Sequence, residues 1–201
     1  VERAGMKTFR EYFEFINRDE NEFFAFLDRM TINVSELFRN PEKWQELKNY
    51  ILTPLLAERG SLRIWSAGCS YGAEPYTLAV LLDQISPGRR HILHATDIDR
   101  KILAKAKEGY FTSADVKGVE APLLSKYFLT VDRGKEAVVN PTLPAYQVKP
   151  EIRSRVLFQQ HNLLADRFDK EYDLICCRNV VIYFTDEAKD RLYQKFVASL
   201  K

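Results

Sequence analysis

Residues 64–80 read IWSAGCSYGAEPYTLAV: a β-rich apolar run, a turn with Gly68 and Gly72 four apart, then Glu74-Pro75 and an apolar helical stretch. Few features constrain a fold as tightly as a strand that hands over to a helix through glycine. In an open α/β sheet, ligands bind beyond the carboxyl ends of the strands, and glycines in that turn let the backbone approach a nucleotide-like molecule closely. The spacing is neither G-x-G-x-x-G nor the Gly-Lys-Ser/Thr turn that cradles phosphates.

The rest of the chain supplies the sheet that such a turn requires. Strand-like runs over residues 62–66, 91–98, 156–161 and 173–177 alternate with helical patterns over 75–86, 99–108 and 186–200, which predicts a parallel sheet with helices on both faces. Upstream, Phe9, Tyr12, Phe13 and Ile16, then Phe23, Phe24, Leu27 and Met30, recur at helical spacing, predicting two short amphipathic helices. Asn40-Pro41-Glu42 has the form of a capped helix start, and Gly60 is placed to end that helix, predicted over 41–58. Between residues 110 and 155 the alternation lapses. A turn at Asp132-Arg133-Gly134-Lys135 and strand-like content over 127–131, 137–139 and 145–148 predict a small antiparallel insertion there.

Composition narrows the function classes. The 201 residues suit one main domain with appendages, and apolar runs such as 76–82 fall far short of the ~20 residues of a membrane span. The chain is therefore expected to be soluble and cytoplasmic, with no membrane insertion. Cys69, Cys176 and Cys177 provide neither a disulfide framework nor a Cys-x-x-Cys zinc site. His91 and His94, three apart on a strand, would face opposite ways, and His161 is remote, so no metal is expected. Net charge is +2, but residues 1–40 carry 6 Lys and Arg against 8 Asp and Glu, while residues 100–155 carry 11 against 6. The middle could face an acidic partner.

An acidic side chain in the turn, Glu74, would repel a pyrophosphate, so a cationic or neutral ligand is expected. S-adenosylmethionine, with its sulfonium, ammonium and adenosine, meets that description. The second strand ends at Thr96-Asp97-Ile98-Asp99, where a carboxylate can accept hydrogen bonds from ribose hydroxyls. Asp97 is the candidate for that role, and Asp99 is expected to cap the next helix.

Several stretches, TINVSELFR (31–39), IWSAGCSYGAEPY (64–76), ATDID (95–99), HNLL (161–164) and CRNVVIYF (177–184), together resemble the chemotaxis receptor methyltransferases of the CheR type. Those proteins methylate receptor glutamates with S-adenosylmethionine. The resemblance implies an N-terminal helical domain and linker over residues 1–40, then a Rossmann-like α/β methyltransferase domain over 41–201. It also implies a β-subdomain inserted at about 125–155, which in the family helps dock receptors. Further strands beyond Lys201 would complete the family's sheet, so the chain is expected to be a fragment lacking them, with the 173–177 strand short of a neighbour.

By position, the resemblance carries Gly68, Gly72, Glu74, Asp97, Asn162 and Leu163 into the cofactor pocket. Glu74 would lie near the methionine end, Asp97 at the ribose, and Asn162 with Leu163 at the adenine. Arg39 would meet the cofactor carboxylate, with Asn33 and Ser35 from the same segment; Arg178, Asn179 and Tyr183 would line the transfer site. Helix capping by Asn33 and Ser35, a surface ion pair for Arg39 and core packing for Tyr183 are the competing readings. The turn departs from the family's pattern, which has threonine before the second glycine and two acidic residues after it. Tyr71 and Ala73 occupy two of those positions, and one carboxylate is missing.

The implied reaction is in-line methyl transfer to a glutamate carboxylate, giving a methyl ester and S-adenosylhomocysteine. A glutamate with a pKa of ~4.3 is already ionised at neutral pH and needs no general base. The expected partner is the cytoplasmic helical region of chemoreceptors, with no nucleic acid. The rival readings are a methyltransferase acting on nucleic acid or a small molecule, and a non-catalytic S-adenosylmethionine-binding scaffold.

Overall fold

The computed structural model describes residues 8–19, 36–132 and 144–201. The chain falls into two compact units, Val1–Val34 and Ser35–Lys201. In the first, helix α1 (Phe9–Ile16) opens on a capping box: the Glu11 N–H donates to Thr8 Oγ1 at 3.2 Å and the Thr8 N–H to Glu11 Oε2 at 3.3 Å. Two amides that the helix cannot satisfy internally are thus paired reciprocally. The helix expected over 23–30 and the strand expected over 137–139 lie outside the described residues.

The second unit begins with a helix in three parts, α2 (Pro41–Glu46), a π-helical segment (Leu47–Leu52) and α3 (Thr53–Arg59). Pro41 occupies the first turn, and Gly60, at φ 72°, ends the helix, as the sequence leads one to expect. The Asn40 cap does not form. Asn40 is left-handed at φ 58° and its Oδ1 accepts from Arg178 instead. The π segment also departs from the uninterrupted helix expected. Eight residues of α-helix would set Trp44 and Leu52 about 80° apart around the axis. A π turn rotates less per residue, and both side chains are buried, as is Leu56.

There follow β1 (Arg63–Ala67), α4 (Ala73–Ile85), β2 (Ile92–Asp97), α5 (Arg100–Glu108), β3 (Tyr110–Phe111), α6 (Ala121–Tyr127), β4 (Phe128–Thr130), β5 (Tyr146–Val148), α7 (Pro150–Arg153), β6 (Val156–Gln160), β7 (Leu174–Cys176) and α8 (Asp186–Val197). Strands β6-β2-β1-β7 form one parallel sheet in that order, with Ile64 opposite both Leu93 and Leu174. The order reverses at β1, and in such sheets the ligand crevice opens beyond the carboxyl ends at that point.

Alternation along β1 feeds two cores. Ile64 points to the larger, with Leu93, Ala95, Phe158, Cys176 and the buried helix α4. Trp65 and Ala67 join Leu163, Tyr172 and Leu192 on the other face, where the Trp65 ring stacks on Tyr172 at 5.4 Å and meets Phe168 edge-on at 4.8 Å. Helix α4 is buried along its length from Pro75 to Leu82, as befits a helix covered on every side.

The insertion is a small antiparallel sheet in the order β3-β5-β4. Its strand β3 was not anticipated. Phe111, Phe128 and Val148 from this sheet belong to the same core cluster as α4, so the insertion is packed into the main core. Two of the three histidines serve structure: His91 Nδ1 accepts from the Leu62 N–H at 3.2 Å, and His94 Nδ1 meets the Tyr172 hydroxyl at 2.9 Å. Among the described residues, no group of three or more His, Cys, Asp or Glu is placed to hold a metal, and no helix is long and apolar enough to cross a membrane.

Candidate functional site

The turn after β1 folds over the end of β2, where the Thr96 carbonyl accepts from both the Gly68 and Cys69 N–H groups at 2.8 and 2.9 Å. Gly68 and Gly72 sit at φ 79° and 98°, left-handed conformations that glycine adopts without steric cost. A Cβ at Gly68 would run into the Val180 side chain, and one at Gly72 would lie 3.0 Å from the Tyr76 ring. Gly68 therefore also makes room for the loop that follows β7. Ser70 is left-handed as well, at φ 49°, and this aims its N–H at Asp97 Oδ2, 2.8 Å away.

Asp97 is the last residue of β2, and its Oδ1 accepts from the Asp99 N–H at 3.1 Å. Burial raises its pKa above the ordinary carboxylate range, while these backbone N–H groups pull it back. A carboxylate has about four acceptor positions, so the N–H groups of Ser70, Asp99 and Ile98 still leave Asp97 able to accept from a ligand. Asp99 takes the expected capping role, accepting from the Lys101 N–H at 2.7 Å.

Glu74 lies in the first turn of α4, where the helix dipole favours an anion. Ser66 Oγ donates to its Oε1 at 2.7 Å. Burial nevertheless pushes its pKa up to about 7, against the opposing pull of Ser66 and the Arg178 charge. A carboxyl held so far from water favours a cation beside it.

Arg178 follows β7 and reaches the segment that precedes α2. Its Nη1 and Nη2 donate to the Arg39 carbonyl at 3.3 and 3.4 Å, Nη2 donates to Asn40 Oδ1 at 3.0 Å, and the guanidinium lies 5.1 Å from the Trp44 ring centroid. The same segment is held at two earlier points. The Phe38 N–H donates to Thr77 Oγ1 at 3.1 Å, and the Leu37 N–H to the Asp115 carbonyl at 2.9 Å.

Asn162 and Leu163 follow β6, tied to β2 by the His161 N–H donating to the Asp97 carbonyl at 2.9 Å. Leu163 is buried in the Trp65 core. Asn162 Oδ1 accepts from the Leu164 N–H at 3.0 Å and so builds the turn. Lys195 of α8 fastens that turn, donating to the Leu163 and Asp166 carbonyls at 3.0 and 2.8 Å. Asn179, at φ 61°, and Tyr183 lie on the loop after β7. Tyr183 is 58% exposed, which disposes of its core-packing alternative.

Gly68, Gly72, Glu74, Asp97, Arg178 and the Arg39 backbone thus gather around the carboxyl ends of β1, β2 and β7. Asn162 and Leu163 stand beside Asp97, Asn179 and Tyr183 are exposed on the neighbouring loop, and Asn33 and Ser35 lie outside the described residues. Sequence reasoning did not single out Ser66, Trp44, Thr77 or Asp115. Ser66 carried a signal, as a polar residue in an apolar strand eight positions before Glu74; the other three acquire their roles only through tertiary contact.

This donor set suits a ligand with a cationic end and a hydroxyl-bearing ring better than a phosphate. The family model described as "CheR methyltransferase, SAM binding domain" matches residues 33–201. The chemotaxis protein methyltransferase of Listeria monocytogenes is 38% identical over 195 residues, covering 96% of this chain and 70% of that protein. That of Borreliella burgdorferi is 33% identical over 98% of this chain and 71% of its own length, and that of Escherichia coli 31% identical over 98% and 67%. With the family model spanning both cores and every loop of the site, this chain belongs to the CheR methyltransferase family.

Proposed function

We propose that this chain binds S-adenosylmethionine and transfers its methyl group to glutamate side chains of chemoreceptors, in sensory adaptation. The observation that carries the reading is the placement of two half-buried carboxyls on either side of a glycine turn, Glu74 in the first turn of α4 and Asp97 at the end of β2. S-adenosylmethionine supplies an activated methyl group on a sulfonium, together with an ammonium and a ribose diol. Asp97 keeps acceptor capacity for the diol, Glu74 offers a carboxyl that a cation would ionise, and Arg39 serves the carboxylate. Asn162 and Leu163 face the adenine.

The remaining residues act on the acceptor. A glutamate carboxylate is ionised at neutral pH and needs no base, so orientation and exclusion of water supply the acceleration. Arg178 has donors beyond those given to Arg39 and Asn40, since a guanidinium carries five N–H groups. With Asn179 and Tyr183 it positions the incoming carboxylate. Binding that carboxylate too tightly would stabilise the ground state and slow transfer. An arginine already engaged by the linker is moderated in that respect.

Isothermal titration with S-adenosylhomocysteine tests the reading. Saturable one-to-one binding that Asp97→Ala abolishes is the expected outcome; undiminished binding by Asp97→Ala would remove that residue from the site. Binding without methyl transfer to receptor fragments would favour the scaffold reading.

A further inference from the structure

Tyr71 stands where the family's pattern has threonine, and the structure gives its hydroxyl a partner far away in the chain. The Tyr71 hydroxyl donates to Asp115 Oδ1 at 3.0 Å. Asp115 is otherwise fixed by its own turn, its Oδ2 accepting from the Thr112 N–H at 2.7 Å and the Thr112 hydroxyl at 2.8 Å. The carbonyl of the same residue accepts the Leu37 N–H at 2.9 Å. One residue thus joins the glycine turn, the start of the insertion and the segment that runs through Arg39.

That segment is an unfavourable conformation for a free chain. Phe38 and Asn40, on either side of Arg39, both have positive φ, 56° and 58°, a region in which non-glycine residues are costly unless their surroundings impose it. The surroundings are Asp115 at Leu37, Thr77 at Phe38 and Arg178 at Arg39 and Asn40. The loop of Arg178 returns to the glycine turn through Val180, which fills the space beside Gly68. The contacts form a closed ring of loops around the carboxyl end of β1.

We infer that Tyr71 is a positioning residue: through Asp115 it sets the Leu37–Asn40 segment, and hence Arg39, against the amino-acid end of the cofactor. The inference rests on the proposed binding of S-adenosylmethionine with Arg39 at its carboxylate. A threonine at position 71 is too short to reach Asp115 in this way, so the tyrosine represents a distinct solution to holding the segment. The cost of removing its hydroxyl should fall on ligands with an amino-acid tail and spare those without one.

The test compares S-adenosylhomocysteine with 5′-methylthioadenosine, which has the same nucleoside and thioether but lacks the tail, in calorimetric titrations of the chain and its variants. Tyr71→Phe is expected to weaken S-adenosylhomocysteine binding about tenfold, the scale of a hydrogen bond to a charged group. Its effect on methylthioadenosine should stay below about twofold. In an Arg39→Ala background Tyr71→Phe should cost nothing further, because the residue it positions is gone. Asp115→Ala should reproduce the same ligand selectivity. Equal losses for both ligands, or additivity with Arg39→Ala, would make Tyr71 a general prop and overturn the inference. Unchanged binding by Tyr71→Phe would also overturn it while leaving the cofactor reading intact. A parent chain that binds neither ligand would remove the cofactor reading and this inference together.

Discussion

Glu74 is the residue whose chemistry departs furthest from its solution behaviour. Its pKa of about 7 stands well above the ~4.3 of an unfolded chain, so in the free protein it stabilises the fold fully below ~4.3 and progressively less as pH rises towards 7. A cofactor ammonium reverses the preference, because it favours the ionised form. Affinity for S-adenosylhomocysteine should therefore rise about tenfold between pH 6 and pH 8, and Glu74→Gln should flatten that slope. Titrations across this range would show it; an equally steep slope in the variant would assign the proton elsewhere. The placement of Glu74 and Asp97 beside the glycine turn is legible in the sequence because both sit at fixed offsets from that turn. Tyr71 and Asp115 were not, since their partnership spans 44 positions and nothing local to either residue announces it.

At the scale of elements, strands and helices followed the hydrophobic pattern closely, and the exceptions have particular causes. The π segment is hidden in the sequence because Trp44, Leu47, Ile51 and Leu55 recur at the spacing of a regular helix; the burial of Leu52 and the exposure of Ile51 follow from the wider turn. Strand β3 was missed because two residues, Tyr110 and Phe111, carry no periodicity. Deleting the exposed Tyr50 would remove the extra residue that the π turn absorbs, leaving Trp44 and Leu52 about 20° apart around a regular α-helix. The shortened chain should therefore keep Trp44 buried against Arg178, with a stability change within the roughly 0.5 kcal/mol of an ordinary surface change. Urea denaturation and Trp44 fluorescence would measure it, against a Trp65→Phe background to isolate the signal. A loss of about 3 kcal/mol with red-shifted emission, the scale of truncating a buried aromatic, would mean that the π turn itself is needed to place Trp44.

At the scale of the whole molecule, the sheet is closed by contacts of very different range. β1 meets the start of β2 across 29 positions, through the Leu62 N–H and His91, but its bond to Asp173 ahead of β7 spans 110. Asp173 gathers the Arg63 N–H at 2.6 Å, Lys201 Nζ at 3.0 Å and the Arg59 guanidinium. Asp173→Ala should cost about 2–3 kcal/mol by leaving those donors unmatched. If β7 docks late, the loss should appear as faster unfolding with little change in the folding rate; a chevron in which the folding limb slows instead would place β7 in the nucleus. Chain synthesis proceeds from the amino terminus, so β1 is made before both of its neighbours and waits for β7 across the 110 positions that separate Arg63 from Asp173. The glycine turn, Glu74 and Asp97 emerge well before Arg178 and Val180. A nascent chain therefore carries Glu74 and Asp97 before it carries the arginine and the valine that close the site, and competence to hold a ligand is acquired only once β7 and the loop after it have been made.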